Sequence, residues 1–160
     1  MRFMAKPKIR FVDALPVTPG DSSEQRAAET AMIAEFSRLR GVELAPLRIV
    51  LDDGSAVQVD GVASDRSVLC EAYAHQGPLK GGQADKVVMD AFKLLYIARS
   101  WAGAELVLLF SDNDAARTFR APSRSWVAKA LPSFGVQVQV VELPLAMREE
   151  LLRTQLRQAR

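Results

Sequence analysis

Apolar residues recur at helical spacing in the first third of the chain. Between residues 24 and 40, Ala28, Met32 and Phe36 follow one another at every fourth position, which places them on one face of an α-helix. Two serines before this stretch can cap its start, and Gly41 can end it. The pattern predicts an amphipathic helix that packs its apolar face on the core.

Strand-like runs follow that helix. Apolar residues dominate positions 47–51, 56–63 and 68–74, and the dipeptide Asp53-Gly54 between the first two runs is a hairpin turn signal. The third run carries apolar residues on both of its faces, as expected of a strand that is covered on both sides. The three runs predict an antiparallel meander.

The second half of the chain alternates helical and strand patterns. We expect the following elements: a helix from about Gln83 to Trp101, a buried strand from Glu105 to Phe110, two helical pieces separated near Pro122, a strand from Val136 to Leu143, and a helix from about Pro144 onward. A strand that follows a helix favours a crossover into parallel pairing. The sequence therefore predicts an α/β fold in which a mixed central sheet, a three-strand meander plus parallel strands, is flanked by helices on both sides.

Length and composition limit the organisation of the chain. With 160 residues, 49% of them apolar, it fits one domain, which we place at residues 21–160 after an N-terminal arm at residues 1–20. The arm is rich in proline and holds at most a short strand around Ile9 to Val12. The formal charge of +2 is too small to identify a nucleic-acid binder by itself.

Cysteine and histidine content excludes two further classes of site. The single cysteine, Cys70, cannot form an internal disulfide, and with one histidine, His75, the chain has no Cys/His zinc pattern. Neither a signal-peptide pattern nor a run of about 20 apolar residues that could span a membrane is present. We therefore expect a cytoplasmic protein without a membrane partner.

Two acidic residues interrupt the apolar runs of the predicted meander, Asp60 in the second run and Glu71 in the third. Carboxylates on adjacent strands could hold Mg²⁺, which binds through one or two carboxylates and keeps several waters. The backbone carbonyl of Ala72 could add an oxygen, because it follows Glu71 on the same strand. A metal ion held in this way supports phosphodiester hydrolysis.

This pattern resembles the signature of the restriction-endonuclease-like, or PD-(D/E)XK, nuclease superfamily. The matching residues are Val59-Asp60, a spacer of ten residues, and Glu71-Ala72-Tyr73, and the order of elements from about residue 24 to residue 141 is similar as well. The resemblance implies a restriction-endonuclease-like fold, Mg²⁺ or Mn²⁺ as cofactor, and nucleic acid as substrate, with DNA favoured over RNA.

The same resemblance implies roles for further residues. Glu35 on the first helix corresponds to an auxiliary acidic residue, with Glu24 and Glu29 as weaker alternatives, and Gln83 corresponds to the polar residue that opens the next helix. The signature lysine is replaced by Tyr73, which is neutral at pH 7 and cannot supply an ammonium charge.

A replacement for the missing lysine is expected close to the signature. Lys80, in the turn before the second long helix, is the first candidate, and Lys86, one turn into that helix, is the second. The catalytic set predicted from the sequence is therefore Asp60, Glu71, Tyr73, Lys80, Gln83, Lys86 and Glu35.

Several of these residues also have an ordinary structural interpretation. Asp60 could be a strand-end or turn residue, and Glu71 could be a strand carboxylate paired with Lys80 or Lys86. Tyr73 could be a core aromatic residue, and Glu35 could reach solvent or pair with a nearby arginine.

Three functional hypotheses follow. The first is a metal-dependent nuclease. The second is a catalytically inactive protein with the same fold that binds nucleic acid or a protein partner. The third is a subunit of a homodimer or larger homo-oligomer, joined through an exposed strand or the last helix. Basic residues after the fourth long strand and along the last helix could follow a phosphate backbone, or could form a solvated helix surface.

Overall fold

The structure is a computed structural model that describes residues 9–10 and 22–160. The predicted N-terminal arm lies outside the described residues except at Ile9 and Arg10. In chain order the described elements are β1 (Ile9–Arg10), α1 (Ser23–Arg40), β2 (Leu44–Val50), β3 (Ala56–Ala63), β4 (Val68–Tyr73), α2 (Gly82–Ala98), β5 (Glu105–Phe110), α3 (Asn113–Ala116), a 3₁₀ helix (Arg117–Phe119), α4 (Trp126–Ser133), β6 (Val136–Val140) and α5 (Leu145–Gln158).

The strands form one mixed sheet in the order β1-β2-β3-β4-β5-β6. The first four strands pair antiparallel, β1 through only two residues, whereas β4, β5 and β6 pair parallel. The predicted meander and the parallel crossover after α2 are both confirmed. Because β4, β5 and β6 run in one direction, their carboxyl ends meet at one edge of the sheet.

Helices cover both faces of the sheet, as predicted. On one face α2 contributes Val87, Leu94 and Ile97 to a core that also contains residues of α3 and α4. On the other face α1 and α5 pack against residues such as Cys70 and Leu109. Strand β4 is buried along its whole length because it is covered from both sides.

Helix α1 begins and ends at the predicted signals. The Ser22 hydroxyl accepts a hydrogen bond from the Gln25 amide at 3.1 Å, which satisfies one of the free amides of the first turn. Gly41 ends the helix in the left-handed conformation with φ of 66°, which glycine adopts without a steric penalty.

A β-bulge interrupts the pairing of β2 and β3. Ala45 pairs with Val62, but Leu47 pairs with Val59, so that Pro46 faces the two residues Asp60 and Gly61. A bulge of this kind bends the strand and redirects a side chain. A Cβ atom at position 61 would lie 3.0 Å from the Ile33 side chain, and glycine therefore allows α1 to approach the bulge closely.

Several predicted boundaries are wrong by a few residues, including the start of β2 at Leu44 rather than at residue 47. Helix α2 ends at Ala98 rather than near Trp101, because the chain leaves it through a tight turn that reaches Gly103 at φ of 87°. Strands β4 and β6 end at Tyr73 and Val140, each before the predicted limit. Within the described residues, no helix is long and apolar enough to cross a membrane.

Candidate active site

A cleft of about 970 Å³ opens beside the carboxyl end of β4. Its floor contains Asp60 and Glu71, and its walls come from the first turns of α1, the segment between β4 and α2, one face of α2 and the last turns of α5. The described pairs between β3 and β4 stop at Gly61 and Cys70. The two strands therefore separate where the two carboxylates lie.

Asp60 joins the two separating strands through its side chain. Its Oδ2 atom accepts a hydrogen bond of 2.9 Å from the backbone amide of Ala72 on β4. The bulge places this carboxylate between the strands, where it replaces a sheet hydrogen bond. Asp60, Glu71 and Ala72, the predicted metal-binding set, thus lie together at one point of the sheet.

Glu71 is almost completely buried, with 3% of its surface exposed, and a lysine reaches it from α2. The Lys93 ammonium lies 2.7 Å from Glu71 Oε1. The ammonium of Lys93 therefore supplies the positive charge that pairs with this buried carboxylate. In the described part of the chain the lysine paired with Glu71 is thus Lys93, whereas the sequence predicted Lys80 or Lys86 as the replacement for the signature lysine.

Tyr73 occupies the position of the signature lysine and faces α2. Its hydroxyl donates a hydrogen bond of 3.0 Å to Asp90 Oδ2. Asp90 in turn lies 3.2 Å from the Lys93 ammonium and 3.5 Å from that of Lys86. These residues form a connected group, which we call the ion-pair cluster: Glu71, Tyr73, Lys86, Asp90 and Lys93.

Burial and charge act together on the pKa values of this cluster. Burial, and then the neighbouring Asp60 carboxylate, raise the pKa of Glu71 well above its usual value, and Lys93 offsets only part of the rise. Burial lowers the pKa of Lys93, but Glu71 and Asp90 raise it by more, so that the net shift is upward. Burial, followed by the charge of Asp90, also raises the pKa of Tyr73, which keeps its hydroxyl protonated as a donor.

Gln83 and Lys80 lie on the rim of the cleft instead of at its floor. The Gln83 side chain accepts a hydrogen bond from the Lys80 amide at 3.2 Å, and its amide nitrogen lies 3.2 Å from His75 Nδ1. Gln83 therefore ties the start of α2 to the preceding segment. The Lys80 side chain is exposed and lines the cleft without an ion pair to any described residue.

Glu35 does not reach the cleft. Its carboxylate pairs with Arg38 one turn further along α1 at 2.6 Å, and the pairing lowers the pKa of Glu35. Pairing with a nearby arginine is thus what the structure shows, and the predicted auxiliary role of Glu35 is not supported by its position. Of the two alternatives, Glu29 lines the cleft and Glu24 does not.

A second buried polar group lies next to the cleft. The Gln155 side chain on α5 accepts a hydrogen bond from the Gln76 amide and donates one to the Gln76 carbonyl, both at 2.9 Å. The Gln76 side chain donates to Ser111 Oγ at 2.8 Å and accepts from Arg148 at 3.4 Å. We call these four residues the glutamine cluster: Gln76, Ser111, Arg148 and Gln155.

Sequence reasoning missed Lys93 and Asp90 as members of the site. A signal for them exists, because Lys86, Asp90 and Lys93 are separated by four and three positions and therefore share one face of α2. That face lies beside the apolar stripe of the helix, so it borders the sheet at the end of β4.

The described residues contain no group of three or more histidine, cysteine, aspartate or glutamate side chains arranged to hold a metal ion. A zinc site, which needs three or four protein ligands, does not fit this donor set. A Mg²⁺ ion needs only one or two carboxylates. The carboxylates of Asp60 and of the buried Glu71, on neighbouring strands, match that smaller requirement.

Comparison of the chain with protein-family models, with curated protein sequences and with solved structures finds no match in any of the three.

Proposed function

We propose that this protein is a metal-dependent nuclease of the restriction-endonuclease-like type that hydrolyses phosphodiester bonds in nucleic acid. The observation that carries the proposal is the Lys93 ammonium, 2.7 Å from Glu71, because it supplies the cation that Tyr73 cannot. The order of elements also supports it, since α1, the β2-β3-β4 meander, α2 and the parallel strand β5 follow the arrangement that the signature implies.

Asp60 and Glu71 would hold Mg²⁺ or Mn²⁺, with the Ala72 carbonyl as a further oxygen ligand. When bound, such an ion polarises a phosphate oxygen and lowers the pKa of a coordinated water. Burial first and the Asp60 carboxylate second raise the pKa of Glu71, and a cation bound between the two carboxylates would oppose that rise. The match between this site and a divalent cation rests on the chemistry of these oxygen ligands.

The residues of the chain have distinct parts in the proposed reaction. A water oxygen bonds to phosphorus, the bond to the leaving sugar oxygen breaks, and that oxygen takes up a proton. Lys93 stabilises the negative charge that develops on the phosphate. Asp90 holds Lys93 at 3.2 Å and is itself held by the Tyr73 hydroxyl, so both act as positioning residues. Lys86 adds positive charge near the same phosphate.

The test is cleavage of supercoiled plasmid DNA and of labelled oligonucleotides by the purified protein in Mg²⁺ or Mn²⁺. Asp60→Asn should reduce cleavage to background. It removes the charge but leaves an oxygen that can accept the Ala72 hydrogen bond, so the strands remain joined. Asp65→Asn is the matched control, because Asp65 lies in the turn before β4 and only accepts local hydrogen bonds from Ser67.

Cleavage by the Asp60→Asn variant at the wild-type rate would overturn the assignment of the site. Unchanged cleavage by Asp65→Asn, together with chelation by EDTA that stops the wild-type reaction, is the result the proposal requires. Circular dichroism of each variant establishes that the fold is retained.

One contact favours a second candidate function, a catalytically inactive protein that binds nucleic acid or a protein partner with the same scaffold. The Tyr73 hydroxyl donates its hydrogen bond to Asp90, and the Lys93 ammonium contacts the carboxylates of both Glu71 and Asp90. Such a network is also stable without a substrate. Binding of DNA that weakens with salt but survives EDTA, without cleavage in any divalent metal, would select this function over the nuclease.

A further inference from the structure

The depth of the cleft restricts which nucleic acids could reach the proposed site. Glu71 is 3% exposed, and the side chains of Asp90 and Lys93 are 12% and 22% exposed. A phosphate that contacts these groups must enter the cleft rather than lie across its mouth. The volume of about 970 Å³ is at the upper end of the range for small-ligand sites, about 300 to 1,000 Å³.

Helix α5 holds one wall of the cleft in place through its contact with the segment after β4. Gln155 makes two hydrogen bonds to the Gln76 backbone, which fixes α5 to the segment between β4 and α2. Arg157 lies 3.9 Å from Glu24 at the start of α1, an exposed contact between residues that do not line the cleft. The two hydrogen bonds of Gln155 are therefore the contacts that fix the position of α5 beside the cleft.

Helix α5 contributes both polar residues and two exposed leucines to the lining of the cleft. Leu152 and Leu156, one helical turn apart, are 46% and 67% exposed and both line the cleft. The carboxylates of the site and the ammonium of Lys93 line the same cleft. A ligand that uses both kinds of contact presents a charged group to the floor and an apolar surface to the two leucines.

A single nucleic-acid strand has both features. Its bases are unstacked and offer their apolar faces to side chains, while its phosphates remain accessible on one backbone. In a double helix the base faces are stacked inside and do not reach side chains. A single strand therefore presents both a phosphate and a base face to the cleft, whereas a duplex presents only its phosphates.

We infer that the cleft binds single-stranded nucleic acid, with a phosphate at Asp60, Glu71 and Lys93 and a base against Leu152 and Leu156. The inference rests on the proposed function, and it names the substrate class of that same site. Exposed Lys80 and Lys86 then lie along the path of the backbone.

The experiment measures the binding of fluorescein-labelled DNA to the full-length Asp60→Asn variant by anisotropy, at one fixed salt concentration. The probes are a 12-nucleotide single strand and the 12-base-pair duplex of the same sequence. We expect the single strand to bind at least tenfold more tightly. Adding the changes Leu152→Ala and Leu156→Ala should weaken single-strand binding about tenfold, the order expected for losing apolar contact with a base, and should leave duplex binding unchanged.

A control on the same helix separates base contact from general apolar attraction. Leu145 is 67% exposed on α5 but does not line the cleft, so Leu145→Ala in the same background should not alter the affinity for either probe. Thermal unfolding of all variants shows whether α5 remains folded, and a variant that unfolds early is replaced by Leu156→Gln alone.

The outcomes separate this inference from the proposed function. Equal affinity for the single strand and the duplex, with cleavage of both by the wild-type protein, would overturn the single-strand assignment and leave the nuclease proposal intact. Equal weakening by Leu145→Ala and by the two leucine changes would overturn the base contact. No binding of either probe together with no cleavage would overturn both proposals.

Discussion

Two buried polar groups lie within a few residues of the end of β4, and they are built differently. In the glutamine cluster the amide, the carbonyl and both side-chain polar atoms of Gln76 all have partners. In the ion-pair cluster Glu71 is buried to the same degree, and its partner is the ammonium of Lys93, which Asp90 shares. The centre of the first group is a neutral amide whose hydrogen bonds are all made, and the centre of the second is a buried carboxylate held by an ion pair.

The difference separates a structural role from a functional one. Buried polar groups whose hydrogen bonds are all made give rigidity and cost little, which suits a contact that fixes α5 to the loop after β4. A buried carboxylate whose pKa is strongly raised costs free energy to ionise, and such groups concentrate where a protein binds or transforms a ligand. The ion-pair cluster is therefore expected to respond to substitution in activity, and the glutamine cluster in stability.

The largest expected effect comes from the cation of the ion-pair cluster. Lys93→Met should lower the rate of DNA cleavage by about 10²–10³-fold, because the ammonium that faces the phosphate is removed. The steady-state rate of cleavage of a labelled single strand in Mg²⁺ measures this loss.

Two further lysine variants make this prediction specific. Lys129→Met, on the exposed surface of α4, should be indistinguishable from wild type. Lys86→Met should have a smaller effect than Lys93→Met, because its ammonium contacts Asp90 rather than Glu71. A larger loss of cleavage in Lys86→Met than in Lys93→Met would assign the role of the missing lysine to Lys86.

An intermediate effect is expected in the glutamine cluster. Gln155→Ala leaves the backbone amide and carbonyl of Gln76 without their partners, and it should lower the free energy of unfolding by about 1–3 kcal/mol. Urea denaturation measures the loss, and amide hydrogen exchange at Gln76 should accelerate in parallel. Arg153→Ala, at an exposed position of the same helix, is the control.

A Gln155→Ala variant as stable as Arg153→Ala, with Gln76 exchange unchanged, would show that the cluster does not fix α5. A large loss of cleavage without any loss of stability would remove the distinction between the two clusters.

The smallest expected effect concerns His75, which precedes Gln76 and contacts Gln83. Burial lowers the pKa of His75 below its ordinary value of 6.5, while a hydrogen bond that its ring donates to the Pro78 carbonyl and the charge of Asp112 oppose the shift. Since the folded state binds this proton less tightly than the unfolded state, stability should fall slightly as the pH falls below 6.5.

As the single histidine of the chain, His75 gives one unambiguous proton resonance for an NMR titration. Lys80→Met should raise its pKa, because the charge of Lys80 contributes to the lowering. His75→Gln should abolish the dependence of stability on pH near 6.5. A titration midpoint above 6.5 would contradict the burial that the structure assigns to this side chain.

Much of the fold could be predicted because it depends on local patterns. The caps Ser22 and Gly41 act within one helical turn, the Asp53-Gly54 turn joins neighbouring strands, and the apolar run of β5 has its predicted limits. Asp60 and Glu71 were placed on adjacent strands for the same reason, since consecutive strands of a meander pair with each other.

The rest of the fold and of the site depends on contacts between segments that lie far apart in the sequence. The bulge at Asp60 and Gly61 is defined by Pro46 on another strand, and the contact between Gln76 and Gln155 joins residues 79 positions apart. The lysine nearest to Glu71 was misplaced because the direction of α2 across the sheet decides which turn of the helix reaches the carboxylate. Sequence distance favoured Lys80 and Lys86, and the packing of the helix favours Lys93.

Because Lys93 lies on a helix, its distance from Glu71 depends on how that helix packs. A lysine on β4 would be held near Glu71 by the strand itself, whereas Lys93 reaches Glu71 only because Val87 and Leu94 pack α2 against the sheet. A shift of α2 by one residue in register moves each position about 1.5 Å along the axis and about 100° around it, which takes the ammonium away from Glu71. Substitutions in the core beneath α2 therefore change the distance between the Lys93 ammonium and the Glu71 carboxylate, although they lie outside the cleft.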